Sequence, residues 1–259
     1  MIGTTPDETY RSARLVWRHP DGESRLTAED RKSFDNYRPL LLEHDQRIDE
    51  RVSLNLALGI QQPSSESTTL RVAGKKDHAA LGLRYRPTQR DQVHIEHQWD
   101  RFAAQTSTEL GHGRVWQFEA AHALRLDPRD LEASVFWSGH RYSRRNDISD
   151  ERLSPLLPAG TATARDAAAD FFLPDNFRYY GIRLSTDTRF GHEYTRAWRP
   201  YATVAKTWHS ALGSGYDLNA GIAGSVFGAD HLSFGWKLGK GGAIGGIVRE
   251  IGLTYRLHY

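Results

Sequence analysis

The sequence predicts an all-β chain, a transmembrane antiparallel up-and-down β-barrel of 14–16 strands with sixteen favoured. Three observations predict it. Segments in which apolar and polar residues alternate recur along the whole length. The connections between them alternate between short turns and longer stretches. The last fifteen residues, GGIVREIGLTYRLHY, form one more alternating segment and end on an aromatic.

In that last segment Ile247, Ile251, Leu253, Tyr255, Leu257 and Tyr259 share one parity, with Arg249 the only charge among them. Val248, Glu250, Gly252, Thr254, Arg256 and His258 share the other. Successive side chains of a strand point to opposite faces, so this segment has one apolar and one polar face. In a membrane barrel the first meets lipid and the second a lumen. The competing reading is an amphipathic strand of a soluble β-sandwich. The C-terminal aromatic Tyr259 resembles the assembly signal of Gram-negative outer-membrane barrels. That resemblance implies the barrel assembly machinery as a partner.

The totals agree. A length of 259 residues suits one large all-β domain, 1–259. Mean hydropathy is −0.61, and no long apolar run exists that could form a transmembrane helix. A transmembrane strand needs only about 9–11 residues, half of which can be polar. Cysteine is absent, which excludes disulfides and thiolate metal sites. A net charge of +2, from 34 bases and 32 acids, is no nucleic-acid signature. Met1 opens no secretory signal, because MIGTTPDETYRS lacks an apolar core. An exported chain is then either mature or the C-terminal part of a longer protein.

The clearest strand places Val52, Leu54, Leu56, Leu58 and Ile60 opposite Ser53, Asn55, Ala57, Gly59 and Gln61. The same grammar sets Leu81, Leu83 and Tyr85 against Gly82 and Arg84. Val93, Ile95, His97 and Trp99 stand against Glu96, Gln98 and Asp100. Trp116 and Phe118 oppose Gln117 and Glu119, and Val135 and Trp137 oppose Glu132, Ser134 and Phe136. Later, Tyr216 and Leu218 oppose Asp217 and Asn219, and Phe234 and Trp236 oppose Ser233 and Lys237. Weaker strands are expected near 10–17, 25–31, 39–46, 68–74, 179–186 and 199–208. The parity of the last is ambiguous, because Lys206 and Trp208 share a face. Trp99, Trp116, Trp137, Trp236 and Tyr255 are expected at the membrane interfaces, where amphipathic rings form girdles.

Short connections are expected at 87–91, 127–130 and 227–230, and longer ones at 102–113, 142–178 and 239–246. Outer-membrane barrels separate short periplasmic turns from longer extracellular loops in this way. The 142–178 stretch carries Pro155 and Pro158, then an Ala-rich run expected to form a short helix before Pro174. It is expected outside, either folded partly over or into the mouth or as a solvated surface loop.

The polar parity carries Glu96, Asp100, Glu119, Glu132, Asp187, Asp217 and Glu250, with Arg84, Arg125, Arg183, Lys237, Arg256, His94, His140 and His258. A dry core would need a partner for every one of these, whereas a water-filled lumen holds them freely. The slightly acidic balance favours a neutral-to-cationic passenger. Glu96, Asp100, Glu119, Glu132, Asp217 and Glu250 are the candidate polymer contacts, with Phe136 the clearest aromatic on that face. The twelve histidines form neither HExxH nor a compact cluster, so no metal, cofactor or catalytic residue is expected. Ser138, His140 and Ser143 sit together, as in outer-membrane phospholipases, but their spacing does not match that motif.

Three segments, RPYATVAKTW (199–208), GSVFGADHLSFGWKLG (224–239) and GIVREIGLTYRLHY (246–259), resemble the C-terminal porin domains of Pel-type exopolysaccharide export proteins. The resemblance implies a sixteen-stranded barrel after periplasmic tetratricopeptide repeats, and a role in biofilm matrix formation. It implies export of a cationic, partly deacetylated aminosugar polymer, and a lipoprotein ring at the periplasmic mouth. Cellulose and poly-N-acetylglucosamine exporters are related possibilities. A protein-translocating barrel, either an autotransporter or a surface-lipoprotein exporter, and a general porin are the alternatives.

Overall fold

Alternation becomes pairing in the structure, a computed structural model that describes residues 9–126, 130–144, 151–156, 172–191, 193–240 and 247–257. The strands are β1 (Thr9–His19), β2 (Gly22–Lys32), β3 (Asn36–Tyr37), β4 (Leu40–Arg47), β5 (Val52–Pro63), β6 (Gly74–Tyr85) and β7 (Asp91–Ala104). They continue as β8 (Glu109–Arg125), β9 (Leu131–Arg144), β10 (Phe177–Thr186), β11 (Arg199–His209), β12 (Gly213–Gly224), β13 (Asp230–Lys240) and β14 (Ile247–Leu257). They make one 14-stranded sheet in which each strand lies beside its sequence neighbours, with the two-residue β3 attached to β2. Fourteen is the lower bound of the expected range, and the favoured sixteen is not reached among the described residues.

The chain divides into two compact units. The first comprises Met1–Tyr85, Ile95–Trp116 and Gly139–Asn176; the second comprises Arg86–His94, Gln117–Ser138 and Phe177–Tyr259. In the first unit the pairing register lines up Leu15, Leu26, Leu42, Leu58 and Ala79 as one row across β1, β2, β4, β5 and β6. The neighbouring row on the opposite face reads Arg14, Thr27, Leu41, Gly59 and His78. In the second unit Leu184, Val204, Leu218 and Leu238 form an apolar row. Ser185, Thr203, Asn219, Lys237 and Glu250 form a polar one.

The apolar rows are left open. Leu58 is 45% exposed, Ile251 73% and Leu253 71%. A soluble sandwich buries such a face against a second sheet, whereas a face of this extent left uncovered marks contact with a membrane. The soluble reading is therefore set aside.

The largest fully buried apolar side chains gather on the polar face of the first unit. Leu70, Phe102, Ala104, Leu110, Leu153, Phe172 and Leu173 form a cluster, with Phe34, Tyr142 and Leu156 packed against it. Phe102 shares its parity with Asp100, so the cluster covers the polar face of β7. It joins strand residues to α1 (Thr68–Ala73) and to a 3-10 turn at Glu151–Leu156. Parts of the 142–178 stretch thus fold onto the polar face, although its Ala-rich run lies outside the described residues.

Two expectations are corrected. The segment near 68–74 is a helix and not a strand. The Ser67 hydroxyl accepts the Leu70 N–H at 3.1 Å as an N-cap and donates to the Phe172 carbonyl at 2.6 Å. Burial of Leu70 then holds one turn and a half in place. The stretch 102–113 is not a long connection either. Strand pairing carries β7 to Ala104 and opens β8 at Glu109, leaving only 105–108 as a turn, with Ser107 at φ 75°. The segregation of connections is accordingly less clean than the sequence suggests, because 210–212 is short and 187–198 is long.

Phe102 is fully buried at the centre of this cluster. Phe102→Ala is expected to lower the unfolding free energy by about 3–5 kcal/mol through the cavity it leaves. Urea unfolding of the micelle-inserted protein, followed by tryptophan fluorescence, measures it.

Candidate functional site

Hydrogen-bonded pairing fixes which residues share a face, and that face is the site. In the second unit Arg183 of β10 donates to Glu119 of β8 at 2.8 Å. The same guanidinium lies over the Phe136 ring, 4.9 Å from its centroid, and Phe136 contacts Tyr179 at 5.5 Å. Tyr179 continues to His209 at 6.4 Å, and His209 stacks on Phe177 at 4.6 Å. Gly181 makes this possible, because a Cβ there would meet the Phe136 ring at 2.5 Å.

Toward the opposite strand ends the Tyr201 ring lies over β12 and β13. A Cβ on Gly221 would collide with its Cζ and hydroxyl, and one on Gly235 would sit 2.8 Å from the hydroxyl. Around Tyr201 opens a recess of about 740 Å³, lined by Glu132, Arg183, Thr203, Asn219, Lys237 and Glu250 among others. Lys237 stands directly opposite Glu250 across β13 and β14. The surface is polar, balanced in charge and interrupted by rings, so it can offer a passing chain many weak contacts without one deep binding site.

The first unit holds a denser network on the same parity. Lys76 Nζ lies 2.6 Å from Glu66 and 3.4 Å from Asp100. His78 Nδ1 is 2.8 Å from Asp100, and the Gln98 amide donates to the other carboxylate oxygen at 2.5 Å. Gln105 ties the neighbouring segments together. Its amide donates to the Val72 carbonyl of α1 at 3.1 Å, while its oxygen accepts from the Ser33 hydroxyl at 2.9 Å and the Asp35 N–H at 2.8 Å.

The structure places the candidate contacts unevenly. Glu119 and Glu132 lie on the polar face near Arg183, with Asp217 and Glu250 farther along it; Glu119, Glu132 and Asp217 are half-buried and Glu250 is exposed. Glu96 is half-buried on β7. Asp100 is only 4% exposed and engaged by three side chains, so it reaches a passing polymer only if that network opens. Trp99, Trp116, Trp137, Trp236 and Tyr255 are all exposed on the apolar parity. His97 stacks on Trp116 at 3.8 Å and meets the edge of Trp99 at 4.0 Å. Tyr259 lies outside the described residues. The Ser138 hydroxyl donates to the Tyr179 carbonyl at 3.4 Å, and His140 Nδ1 faces the Tyr142 hydroxyl at 3.4 Å.

Sequence reasoning missed Phe177, Tyr179, Tyr201 and His209, which join Phe136 on the polar face. The parity of Phe177 and Tyr179 was legible once Arg183 was assigned to that face, whereas that of Tyr201 and His209 follows only from strand pairing. It also missed Lys76 and His78, because the run KKDHAA loses its alternation.

An antiparallel up-and-down sheet with one open apolar face and one charged, polar face defines an outer-membrane β-barrel. The family follows from the sequence match. The chain belongs to the family of the PelB C-terminal β-barrel domain, whose model matches residues 2–258, and so to the Gram-negative outer membrane. Among solved structures it is similar to a bacterial polysaccharide outer-membrane secretin, with a TM-score of 0.67 at 10% identity, over 96% of this chain and 78% of that one. It is also similar to OccK11 (OpdR) of Pseudomonas aeruginosa, with a TM-score of 0.51 at 10% identity, over 96% and 68% of the two chains. No curated protein matches it.

The absence of cysteine makes the faces directly testable. Asp217→Cys is expected to react with a membrane-impermeant thiol reagent in proteoliposomes. The neighbouring Leu218→Cys is expected to be protected there and to react only after detergent extraction.

Proposed function

We infer that this chain is an outer-membrane conduit through which an exopolysaccharide leaves the cell. The observation that carries the reading is the polar face of β8–β14, where paired charges and aromatic rings share one surface in a member of the PelB barrel family. Carboxylates and rings are the groups that hold an aminosugar polymer weakly, by ion contacts and by stacking. Synthesis upstream would supply the driving force, and this domain only the path. A cationic, partly deacetylated polymer suits Glu119, Glu132, Asp217 and Glu250.

The cluster around Leu70, Phe102, Leu153 and Phe172 would restrict passage at the end bearing the longer loops. Trp99, Trp116, Trp137, Trp236 and Tyr255 would mark the membrane interfaces, and Tyr259 would serve barrel assembly. Periplasmic helical repeats preceding the barrel and a lipoprotein ring at its periplasmic side complete the pathway. No catalytic step is assigned.

Single-channel conductance in planar bilayers tests the reading. A cationic aminosugar oligomer is expected to block the current while a neutral glucan of equal length does not. Equal block by both, or by neither in an open channel, returns the general porin. Replacing Glu119, Glu132, Asp217 and Glu250 by their amides is expected to weaken the block and reduce export while the barrel still inserts. Unchanged export from the correctly inserted variant removes the acidic residues from the mechanism.

A further inference from the structure

Lys206 and Trp208 share a parity, and the register shows which face they occupy. Lys206 stands opposite Ile182 on one side and Tyr216 on the other, and Trp208 stands opposite Tyr180. Both are on the apolar face. The row that holds Lys206 and Tyr216 continues to Lys240 and Ile247, and the row beside it pairs Leu238 with Arg249. Arg178 lies farther toward the same strand ends, its carbonyl accepting the Ser210 N–H. All four cations are exposed, and Lys206 and Trp208 make a cation–π contact at 5.9 Å.

These charges are unbalanced. Among the described residues none of the four has a carboxylate partner. The one acidic residue on this face of β10–β14 is Asp230, at the opposite end of β13. In the first unit, by contrast, two cations on or beside the apolar face are neutralised. Arg101 lies 2.5 Å from Asp77, and Arg38 lies 3.5 Å from Asp30.

A cation facing hydrocarbon is costly unless its head reaches the interface. Tyr180, Trp208 and Tyr216 set the depth of that interface, because amphipathic rings settle at headgroup level. An unpaired cation at that depth is satisfied by a phosphate. The strand ends concerned belong to the set of connections that includes 145–176, which in outer-membrane barrels faces outward. From β11 to β14 the patch spans about 14 Å at the usual strand spacing. Such a width fits a headgroup with two separated phosphates better than one with a single phosphate.

We propose that Lys206, Lys240 and Arg249 form a binding site for the bis-phosphorylated glycolipid of the outer leaflet, lipopolysaccharide. Its lipid A phosphates rest on the three cations, and its acyl chains lie on the apolar row of Val204, Leu218 and Leu238. The site is on the lipid-facing side, so it stands independently of what passes along the polar face.

The test uses the protein extracted from outer membranes in mild detergent and stripped of lipid. Native mass spectrometry and thermal unfolding are read with added bisphosphoryl lipid A, its monophosphoryl form and phosphatidylglycerol. Bisphosphoryl lipid A is expected to bind best and to raise the unfolding temperature most. The variant K206Q/K240Q/R249Q is expected to bind it roughly 100-fold more weakly, at about fivefold per cation. The charge-conserving K206R/K240R/R249K is expected to bind as the wild type does. Equal binding of the three lipids by the wild type overturns the proposal without recourse to any variant. Lipid A affinity in the folded glutamine variant within threefold of wild type overturns it as well.

Discussion

Inside hydrocarbon every backbone N–H and C=O must find its partner within the protein, since each one left open costs several kcal/mol. Everything else in this structure depends on that requirement. It forces the strands into continuous pairing, and pairing forces a register. Because side chains alternate, the register then decides residue by residue what meets lipid and what meets water. A slip of one residue in β12 would turn Leu218 inward and Asp217 into the membrane. The apolar rows of both units resist such a slip, since each row is built from several strands at once.

The same logic explains how much was legible in the sequence. Strands such as β5 and β14 carry four or more apolar residues on one parity, and their faces could be read directly. Strand β11 could not be read in that way. Its parity mixes Lys206 with Val204 and Trp208, and only pairing with β10 and β12 assigns it. The α1 helix escaped because six residues are too few for a helical period, and its cap and its burial partner Phe172 lie far apart in sequence. The turn at 105–108 escaped because β7 and β8 exchange the grammar of a membrane strand for a packed one near Phe102. The candidate site divides likewise. Acids such as Glu119 and Asp217 were visible by parity, but the engagement of Asp100 by Lys76 and His78 is a tertiary fact that no local pattern announces.

The two units solve their charge problems differently. The first closes several of its charges into networks, as Asp100, Lys76, Glu66 and His78 show on the polar face, and Arg101 with Asp77 on the other. The second leaves its polar face open, with rings at Phe136, Tyr179 and Tyr201 between the charged groups. Its apolar face carries cations that have no carboxylate partner among the described residues. Rigid packing and open surface thus lie on different stretches of one sheet.

The Tyr201 ring rests on Gly221 and Gly235, so its position is held by the absence of two methyl groups. Any side chain at either glycine would lift the ring into the recess beside it. The clearance at that level is therefore adjustable by single-atom steps in the wall, with no change in strand number or loop length. A lineage, or an engineer, could alter the bore here one carbon at a time while the pairing that holds the wall together stays intact.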